Sequence, residues 1–190
     1  VQANKINYMR NSVKAIVDAY DGSVRLFRWD DQDPILRTWE KIYPGSVEPI
    51  SSISGDLMSH LRYPEDMFKV QRNLLATYHV SDAAGFYSGG DRWRLAEETS
   101  TYGAASSAAA SPRVDAMGNP LPAPTALQPP YYLTMQMPGQ ESAEFSLTSV
   151  FVPGGGGEGR REAMAGFLAV DSETGNTPGQ VREGYGKLRL

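Results

Sequence analysis

Two runs of alternating apolar and polar residues open the regular part of the chain, over residues 13–20 and 23–29. They are joined by Asp21 and Gly22. An Asp-Gly pair tolerates the positive φ angles of a two-residue type I′ turn, which connects antiparallel strands tightly. The pattern therefore predicts a β-hairpin that is closed at this dipeptide.

The turn also predicts the register of the hairpin. If Tyr20 faces Ser23 across the turn, then Ile16 faces Phe27. Cross-strand partners share one face of a sheet, so the other apolar residues of the two runs form a second face. We predict that this second face lies toward the core; it carries Val17, Ala19, Val24 and Leu26.

Helical periodicity follows in three segments, each with a start signal. Asp33 before Pro34 predicts a capped helix, because the aspartate accepts an orphan amide and proline has no N–H to lose. Ser54 predicts a short helix, and Pro64 begins a longer one. The apolar stripes expected to pack on the sheet are Ile35, Leu36, Trp39 and Ile42, then Leu57, Met58 and Leu61, then Met67, Val70, Leu74 and Tyr78 with Phe68 and Leu75 beside them.

The second half of the chain changes character. Residues 98–128 are rich in Ala, Ser, Thr, Pro and Gly, and too few large apolar groups are present to offset the entropy of ordering, which predicts a long surface loop. Beyond it, turn residues separate four predicted strands, over 131–137, 144–152, 164–170 and 185–190. Propensity alone also allows a helix over residues 163–170, and we favour a strand from residue 166 onward. We predict an α+β fold, with a twisted antiparallel sheet and helices packed on one face, as a single domain over residues 1–190.

Charge and composition narrow the possible functions. Eighteen basic and twenty-two acidic residues give a net charge of -4, so we expect no nucleic-acid partner. The absence of cysteine excludes disulfides, thiolate metal sites and thiol nucleophiles. No run reaches the roughly twenty apolar residues that cross a bilayer. The chain begins with Val rather than Met and stops in a strand-like run, so we expect it to be a piece of a longer protein.

Four collinear stretches carry a family resemblance: RNSVKAIVDAYDGSVRLFRWDDQDPILRTWEKIYPG, HLRYPEDMFKVQRNLLATYHV, QPPYYLTMQMPGQ and FSLTSVFVP. Over most of residues 11–190 the chain resembles a family of uncharacterised bacterial membrane proteins that is prominent in actinobacteria. In that family several transmembrane helices precede a large extracytoplasmic domain, and this chain is similar to the C-terminal part of that domain. The resemblance implies an extracytoplasmic location and membrane attachment through sequence outside this chain. It implies no activity, cofactor or catalytic residue.

A glycine run formally matches a nucleotide-binding motif. Gly154, Gly156 and Gly159 have the spacing of a dinucleotide fingerprint, and Asp171 and Glu173 follow at the range of a ribose ligand. The site needs a turn into a helix within a parallel βαβ unit, whereas the turn-rich surroundings favour an antiparallel connection. We therefore expect no nucleotide cofactor.

Two groups of side chains could bind a metal ion. Asp30, Asp31 and Asp33 offer the hard oxygen ligands of calcium, but they lack the spacing of an EF-hand loop. His60 and His79 could ligate zinc together with a carboxylate, but neither lies in a His-Glu-x-x-His arrangement. We interpret the acids as loop and capping residues and the histidines as surface or capping residues, and we predict no metal site.

Catalytic alternatives rest on three further residues. Glu65 and Asp66 could form the carboxylate pair of a glycosidase, although acids in a first helical turn are explained by the helix dipole. Ser88 lies in a Gly-rich loop without the Gly-x-Ser-x-Gly spacing of a nucleophile elbow. We predict no catalytic residue in this chain.

Aromatic residues beside Gly- and Pro-rich loops are the candidates for interaction with a partner. An amphipathic ring there can stay accessible to a protein, lipid or glycan, although packing that anchors the loop is the favoured interpretation. These candidates are Phe86, Tyr87, Trp93, Tyr131 and Tyr132, whereas Phe27, Trp39, Phe68 and Tyr78 are predicted to be core.

The leading functional hypothesis is a non-catalytic extracytoplasmic module for interaction, assembly or ligand recognition, with an envelope protein, lipid or glycan as partner. A cell-envelope hydrolase is the first alternative, and it requires acids or a histidine to meet in one concave pocket. Its candidate residues are Asp30, Asp31, His60, Glu65 and Asp66. A carrier of a lipid or another apolar ligand is the second alternative, and it requires a sizeable apolar cavity.

Overall fold

The computed structural model describes residues 8–98, 127–154 and 163–190. The described chain forms two compact units. The first unit comprises residues 8–70, 134–146 and 170–187, and the second comprises residues 71–98, 127–133, 147–154, 163–169 and 188–190. The loop predicted over residues 98–128 lies almost wholly outside the described residues. The single domain predicted over residues 1–190 stays a prediction.

Within the described ranges the chain has four α-helices and seven β-strands. The helices are α1 (Pro34–Ile42), α2 (Gly55–His60), α3 (Glu65–Tyr78) and α4 (Ala83–Ser88). The strands are β1 (Val13–Val17), β2 (Val24–Arg28), β3 (Trp93–Leu95), β4 (Tyr131–Met135), β5 (Glu144–Pro153), β6 (Gly166–Asp171) and β7 (Leu188–Arg189). None of the described helices is both long enough and apolar enough to cross a membrane.

The strands form two antiparallel sheets, and the predicted α+β class is confirmed. One sheet is the pair β1 and β2, and the other has the order β3-β5-β6-β7, with β4 also paired to β5. The four strands predicted downstream of the loop are all present, although the last is only two residues long. We did not predict α4 or β3, because each is too short to show a clear period.

The predicted hairpin is present with a register that differs by two residues. Ile16 pairs with Arg25, and Val17 pairs with Val24. The connecting loop is longer than the predicted two residues, because the amide of Asp18 donates to the carbonyl of Ser23 at 2.9 Å and encloses residues 19–22. Gly22 ends the loop at φ 75°, a conformation that favours glycine.

The core face of the hairpin is the opposite of the predicted one. Val17 is 62% exposed and Val24 is 59% exposed, whereas Phe27 is fully buried. A shift of two residues leaves every side chain on its original face, so the error lies in the choice of the buried face. The face that carries Phe27 and Ile16 is the buried one because Ile53 and Met58 pack against it.

The core of the first unit forms around that ring. Phe27, Ile53 and Met58 are fully buried together, with Ile16, Trp29, Ile50, Leu57 and Leu61 packed against them. The hydroxyl of Thr174 donates to the carbonyl of Met58, and the amide of Tyr63 donates to the hydroxyl of Ser172 at 3.0 Å. These hydrogen bonds satisfy buried donors and acceptors, which would cost free energy if they were left without a partner.

The predicted helix starts are confirmed. Asp33 accepts the amide of Ile35 at 2.9 Å, and Ser54 accepts the amide of Leu57 at 3.3 Å. The third helix begins directly after Pro64, and the carboxylates of its first turn are present as expected. Each start follows from contacts between near neighbours in the sequence.

The predicted apolar stripes are only partly correct. In α1 only Leu36 is buried, and Ile35, Trp39 and Ile42 are exposed. In α3 the buried side chains are Phe68, Arg72 and Ala76, and the predicted stripe members Leu74 and Tyr78 are exposed. Trp39 and Tyr78 are therefore not core residues, whereas Phe27 and Phe68 are. In α1 and α3 the predicted stripe is thus only partly buried, whereas in α2 Met58 is buried and Leu57 and Leu61 pack against the core, as predicted.

Candidate interaction surfaces

The outward side of the hairpin is an apolar surface, which we term the outer hairpin face. Its apolar residues are Val13, Ala15, Val17, Val24 and Leu26, of which Leu26 is half-buried and the others are exposed. Arg28 lies on the same side, opposite Val13. The register places Val17 directly opposite Val24 and Ala15 directly opposite Leu26. Neighbours across a strand pair lie about 5 Å apart, so these side chains form one continuous patch rather than scattered exposed residues.

The outward side of α1 is a second apolar surface, which we term the α1 outer stripe. It consists of Ile35, Trp39, Ile42 and Tyr43, each exposed by half or more. Trp39 and Tyr43 stack on each other with ring centroids 5.3 Å apart and an interplanar angle of 19°. The spacing is that of adjacent helical turns, so the stripe forms one face of the helix.

A groove of about 300 Å³ runs beside β1. One wall is the segment that enters and forms β1, and the other is the start of α3. The lining residues are Met9, Arg10, Asn11, Val13, Lys14 and Ala15 on the first wall, and Pro64, Asp66 and Met67 on the second. The volume is at the lower limit of pockets that hold small molecules.

Lys14 is held on the core side of the hairpin by polar and aromatic groups. Its ammonium donates to the carbonyl of Arg62 at 2.9 Å and to the hydroxyl of Tyr185 at 3.4 Å. It also lies 5.0 Å from the ring centroid of Trp29, a cation–π distance. Burial lowers the pKa of Lys14 to about 8, because the charged form loses hydration.

The three candidate calcium ligands have other partners. Asp33 caps α1 and accepts hydrogen bonds from Ser12 and from Tyr8, the latter at 3.0 Å. The hydrogen bond from Ser12 is the main cause of its lowered pKa, supported by the bonds from Ile35 and Tyr8. Asp30 pairs with Arg10, and the side chain of Asp31 accepts from Gln32 at 3.0 Å. The three aspartates thus hold the segment that leads into α1.

Each histidine is used locally at the end of a helix. The Nδ1 atom of His60 lies 2.7 Å from the carbonyl oxygen of Asp56, and that of His79 lies 2.9 Å from the carbonyl oxygen of Leu75. His79 also stacks on Trp93 at 3.6 Å between ring centroids. Across residues 8–98, 127–154 and 163–190, no three acidic or histidine side chains gather as a metal site.

The remaining catalytic candidates are engaged by residues of their own helices. Glu65 and Asp66 share Lys69, with nitrogen-to-oxygen distances of 2.6 and 3.7 Å. This pairing within the first turn of α3 matches the plain interpretation of these acids as dipole partners. Ser88 ends α4 and donates to the carbonyl of Gly85 at 3.0 Å.

The glycine motif lies mostly outside the described residues, since 155–162 are not described. The two acids proposed as ribose ligands lie in the first unit. Asp171 is buried and accepts hydrogen bonds from Gln140 at 3.2 Å and Ser146 at 3.5 Å. Glu173 lies 4.0 Å from Arg182. Both are thus engaged by side chains of the same unit.

Three of the predicted aromatic candidates differ sharply in environment. Tyr87 is 88% exposed, and Phe86 is half-buried with its ring stacked on Tyr78 at 5.7 Å. Trp93 lies on β3, is half-buried, and packs between His79 and Phe151, whose ring centroid is 5.4 Å away. Trp93 therefore has the surroundings of a packed side chain, and Tyr87 those of an accessible one.

The other two candidates begin β4. Tyr131 and Tyr132 are both exposed. The hydroxyl of Tyr131 donates to Glu98 at 2.7 Å, and this bond raises the pKa of Tyr131 because the neighbouring carboxylate disfavours the phenolate. The carbonyl of Tyr131 accepts from Thr148 at 2.8 Å, which fixes the strand. All five aromatic candidates belong to the second unit, and their role in interaction stays a prediction.

The comparison with known proteins identifies the family of the chain. The uncharacterised protein family UPF0182 matches residues 1–190. The chain belongs to this family. The resemblance inferred from the sequence to an uncharacterised actinobacterial family is thus confirmed. The description of UPF0182 assigns it no function.

Members of UPF0182 share about half of their residues with this chain. The UPF0182 protein of Clavibacter sepedonicus is 50% identical over 190 residues, which is 100% of this chain and 18% of the relative. That of Leifsonia xyli is 51% identical over 185 residues, which is 97% of this chain and 17% of the relative. That of Tropheryma whipplei is 47% identical over 188 residues, which is 99% of this chain and 19% of the relative. The chain spans less than a fifth of these relatives, and no solved structure matches it.

Proposed function

We propose that this chain is a non-catalytic assembly module of a longer UPF0182 protein, in which the apolar surfaces of the first unit pack against other parts of the same polypeptide. The observation that carries the proposal is the outer hairpin face. A contiguous apolar patch on a sheet is typical of a surface that is covered in the functional protein, because burial removes it from water.

The arrangement of the hairpin favours a persistent interface. Val17 and Val24 are adjacent across the strands, and the ring of Phe27 on the opposite face anchors the hairpin to the core. The patch is thus presented on a supported sheet, so little conformational entropy is lost when a partner covers it. The α1 outer stripe offers a second apolar face in the same unit.

The length of the relatives favours the rest of the polypeptide as the partner. This chain corresponds to 17–19% of each of the three relatives described above, so more than four fifths of each lies outside the matched region. A covalently linked partner is present at high effective concentration, which lets modest surfaces form stable contacts. The alternative is that an envelope protein, a lipid or a glycan covers these apolar surfaces.

We also propose that the module lies outside the cytoplasm and is attached to the membrane through sequence beyond this chain. The family resemblance supports this location, and the absence of cysteine is compatible with it. The net charge of -4 gives the chain no attraction of its own to an anionic membrane surface.

The competing functions have weaker support in the described residues. Of the hydrolase candidates, Glu65 and Asp66 share Lys69 in the first turn of α3. Asp30, Asp31 and His60 each contact a different group, and of the five candidates only Asp66 lines the groove. A carrier of an apolar ligand needs a larger enclosed cavity than a groove of about 300 Å³ beside a charged wall.

Cysteine labelling tests the proposal, since the chain has no cysteine of its own. Val24→Cys reports on the outer hairpin face, and Ser142→Cys on an exposed turn serves as the matched control. Both variants should react readily with a maleimide in the 190-residue chain. In the full-length protein that contains the chain, Val24→Cys should react at least about tenfold more slowly, while Ser142→Cys keeps its rate.

The same variants test the location. A membrane-impermeant maleimide added to intact cells should label Ser142→Cys in the full-length protein. Labelling only after lysis would contradict an extracytoplasmic location. Equal reactivity of Val24→Cys in the short and full-length proteins would contradict the assembly role.

A further inference from the structure

The outward edge of β1 carries backbone groups that point away from β2. The carbonyl of Ser12 accepts the amide of Trp29, and the amide of Asp18 donates to the carbonyl of Ser23. Backbone groups of successive residues alternate in direction along a strand. The even-numbered residues of β1 therefore bond β2, and Val13, Ala15 and Val17 direct their N–H and C=O groups to the other side.

The two edges of the hairpin differ in their backbone hydrogen bonding. Beyond β2, Glu48 closes the edge, because its amide donates to the carbonyl of Leu26 and its carbonyl accepts the amide of Arg28, both at 2.8 Å. Beyond β1, the outward backbone groups form no hydrogen bond with any part of the chain that the structure describes. An unpaired edge of this kind is a template for another strand.

The groove lies along this unpaired edge. Val13 and Ala15 line it, and Pro64, Asp66 and Met67 at the start of α3 form the facing wall. A single extended strand lies about 4.8 Å from its neighbour. This chain covers only 17–19% of each of the three relatives, so the rest of the polypeptide is a larger and covalently linked source of strands than a second copy of the hairpin.

We propose that the edge of β1 receives one extended strand from the part of the full-length polypeptide outside residues 1–190. This inference rests on the proposed assembly role and specifies how the contact is made. Main-chain hydrogen bonds to Val13, Ala15 and Val17 hold the strand, as in other cases of strand addition.

The surrounding side chains define the chemistry of that strand. On the side of the outer hairpin face it carries apolar residues, which extend the patch formed by Val13 and Val17. On the opposite side it carries no cationic residue beside Lys14, because like charges directly across a strand pair are destabilising. The added strand thus continues both the hydrogen bonding and the apolar pattern of the hairpin.

Hydrogen exchange measured by mass spectrometry on a peptide over residues 12–18 tests the inference. In the 190-residue chain, the amides of Lys14 and Ile16 should be protected, and those of Val13, Ala15 and Val17 should exchange rapidly. In the full-length protein these three amides should exchange at least about tenfold more slowly.

Ala15→Pro provides a matched perturbation. It removes an outward N–H and no bond to β2, whereas Ala15→Val keeps the N–H and enlarges the same side chain. In the full-length protein, Ala15→Pro should restore rapid exchange at Val13 and Val17, and Ala15→Val should not. In each variant, protection of the amides of Lys14 and Ile16 shows that the hairpin is intact. If Ala15→Pro unfolds the hairpin, the inference is tested by the exchange of the wild-type 190-residue chain against that of the wild-type full-length protein.

The outcomes separate this inference from the assembly role. Rapid exchange of the three amides in the full-length protein, with Val24→Cys still shielded, overturns strand addition and leaves the assembly role standing. Rapid exchange with Val24→Cys accessible overturns both. If the protection of these three amides in the 190-residue chain rises with protein concentration, the edge of β1 binds a second copy of the chain. That result overturns the proposed occupant.

Discussion

The ammonium nitrogen of Lys14 lies 2.9 Å from the carbonyl oxygen of Arg62 and donates a hydrogen bond to it. No carboxylate of the described residues forms an ion pair with Lys14. Its neighbours are the hydroxyl of Tyr185 and the ring of Trp29. The hairpin thus holds a partly desolvated cation against neutral groups, which penalises its charged form.

Replacement of Lys14 should alter the pH dependence of stability. The pKa of Lys14 is about 8 in the folded chain, and an unfolded lysine titrates near 10.5. Between these values the unfolded state binds more protons, so this residue makes stability rise with pH, while below pH 8 the full desolvation cost is present. The free energy of unfolding of wild type relative to Lys14→Met should therefore increase from pH 7.5 to pH 10.5.

Urea unfolding of both proteins at matched pH values measures this difference, and other titrating groups cancel because both proteins contain them. A difference that stays constant across the window would show that Lys14 titrates normally. A difference that decreases would require a carboxylate partner.

Gly166 is predicted to be intolerant of alanine. A Cβ atom at this position would lie 2.5 Å from the ring of Trp93, which is itself held between His79 and Phe151. Gly166→Ala should lower the free energy of unfolding by about 1–3 kcal/mol, as overpacking typically does. Gly90→Ala is the control, since its Cβ would meet only ordinary contacts. Equal stability of the two variants in urea would disprove the packed role of Trp93.

The α1 outer stripe should contribute little to the stability of the 190-residue chain. Trp39 is 54% exposed, whereas Leu36 on the same helix is buried. Trp39→Ala should cost less than about 1 kcal/mol, and Leu36→Ala about 2–5 kcal/mol, in chemical denaturation. A larger loss from Trp39→Ala than from Leu36→Ala would mean that the stripe is packed rather than available for assembly.

Asp33 should contribute stability that is lost in acid. Its pKa is lowered chiefly by the hydrogen bond from Ser12, so its contribution is fully present above the unfolded pKa of about 4 and disappears as pH falls through the lower folded value. Asp33→Asn keeps a capping oxygen but does not titrate. The stability advantage of wild type over this variant should fall between pH 5 and pH 2 in thermal melts, and an advantage independent of pH would contradict the assignment.

Local features of the fold could be predicted from the sequence, and long-range ones could not. The caps at Asp33 and Ser54 depend on amides two or three residues away, and both were predicted correctly. The buried face of the hairpin depends on Ile53 and Met58, which no pattern within the strands reveals. The environment of Lys14 depends on Tyr185, 171 residues away in the chain.

For the candidate surfaces too, local features could be predicted from the sequence and long-range ones could not. Tyr87 beside a Gly-rich turn was a candidate for an accessible ring, although packing was the favoured interpretation, and it is exposed. The outer hairpin face was missed because Val17 and Val24 carry the strongest local signal for burial, yet both are exposed here. The exposure of these valines can be recognised only once the opposite face of the hairpin, which carries Phe27, is known to be buried.

Reassembly from two polypeptides tests the assembly role most directly. The 190-residue chain and the rest of its full-length protein would be co-expressed as separate chains, and retention of the shorter one on the longer would be measured. Wild type should be retained. Val17→Lys combined with Val24→Glu places opposite charges on one cross-strand pair, so the hairpin should stay folded while retention falls at least about tenfold. Retention equal to wild type, or no retention of wild type itself, would contradict the account.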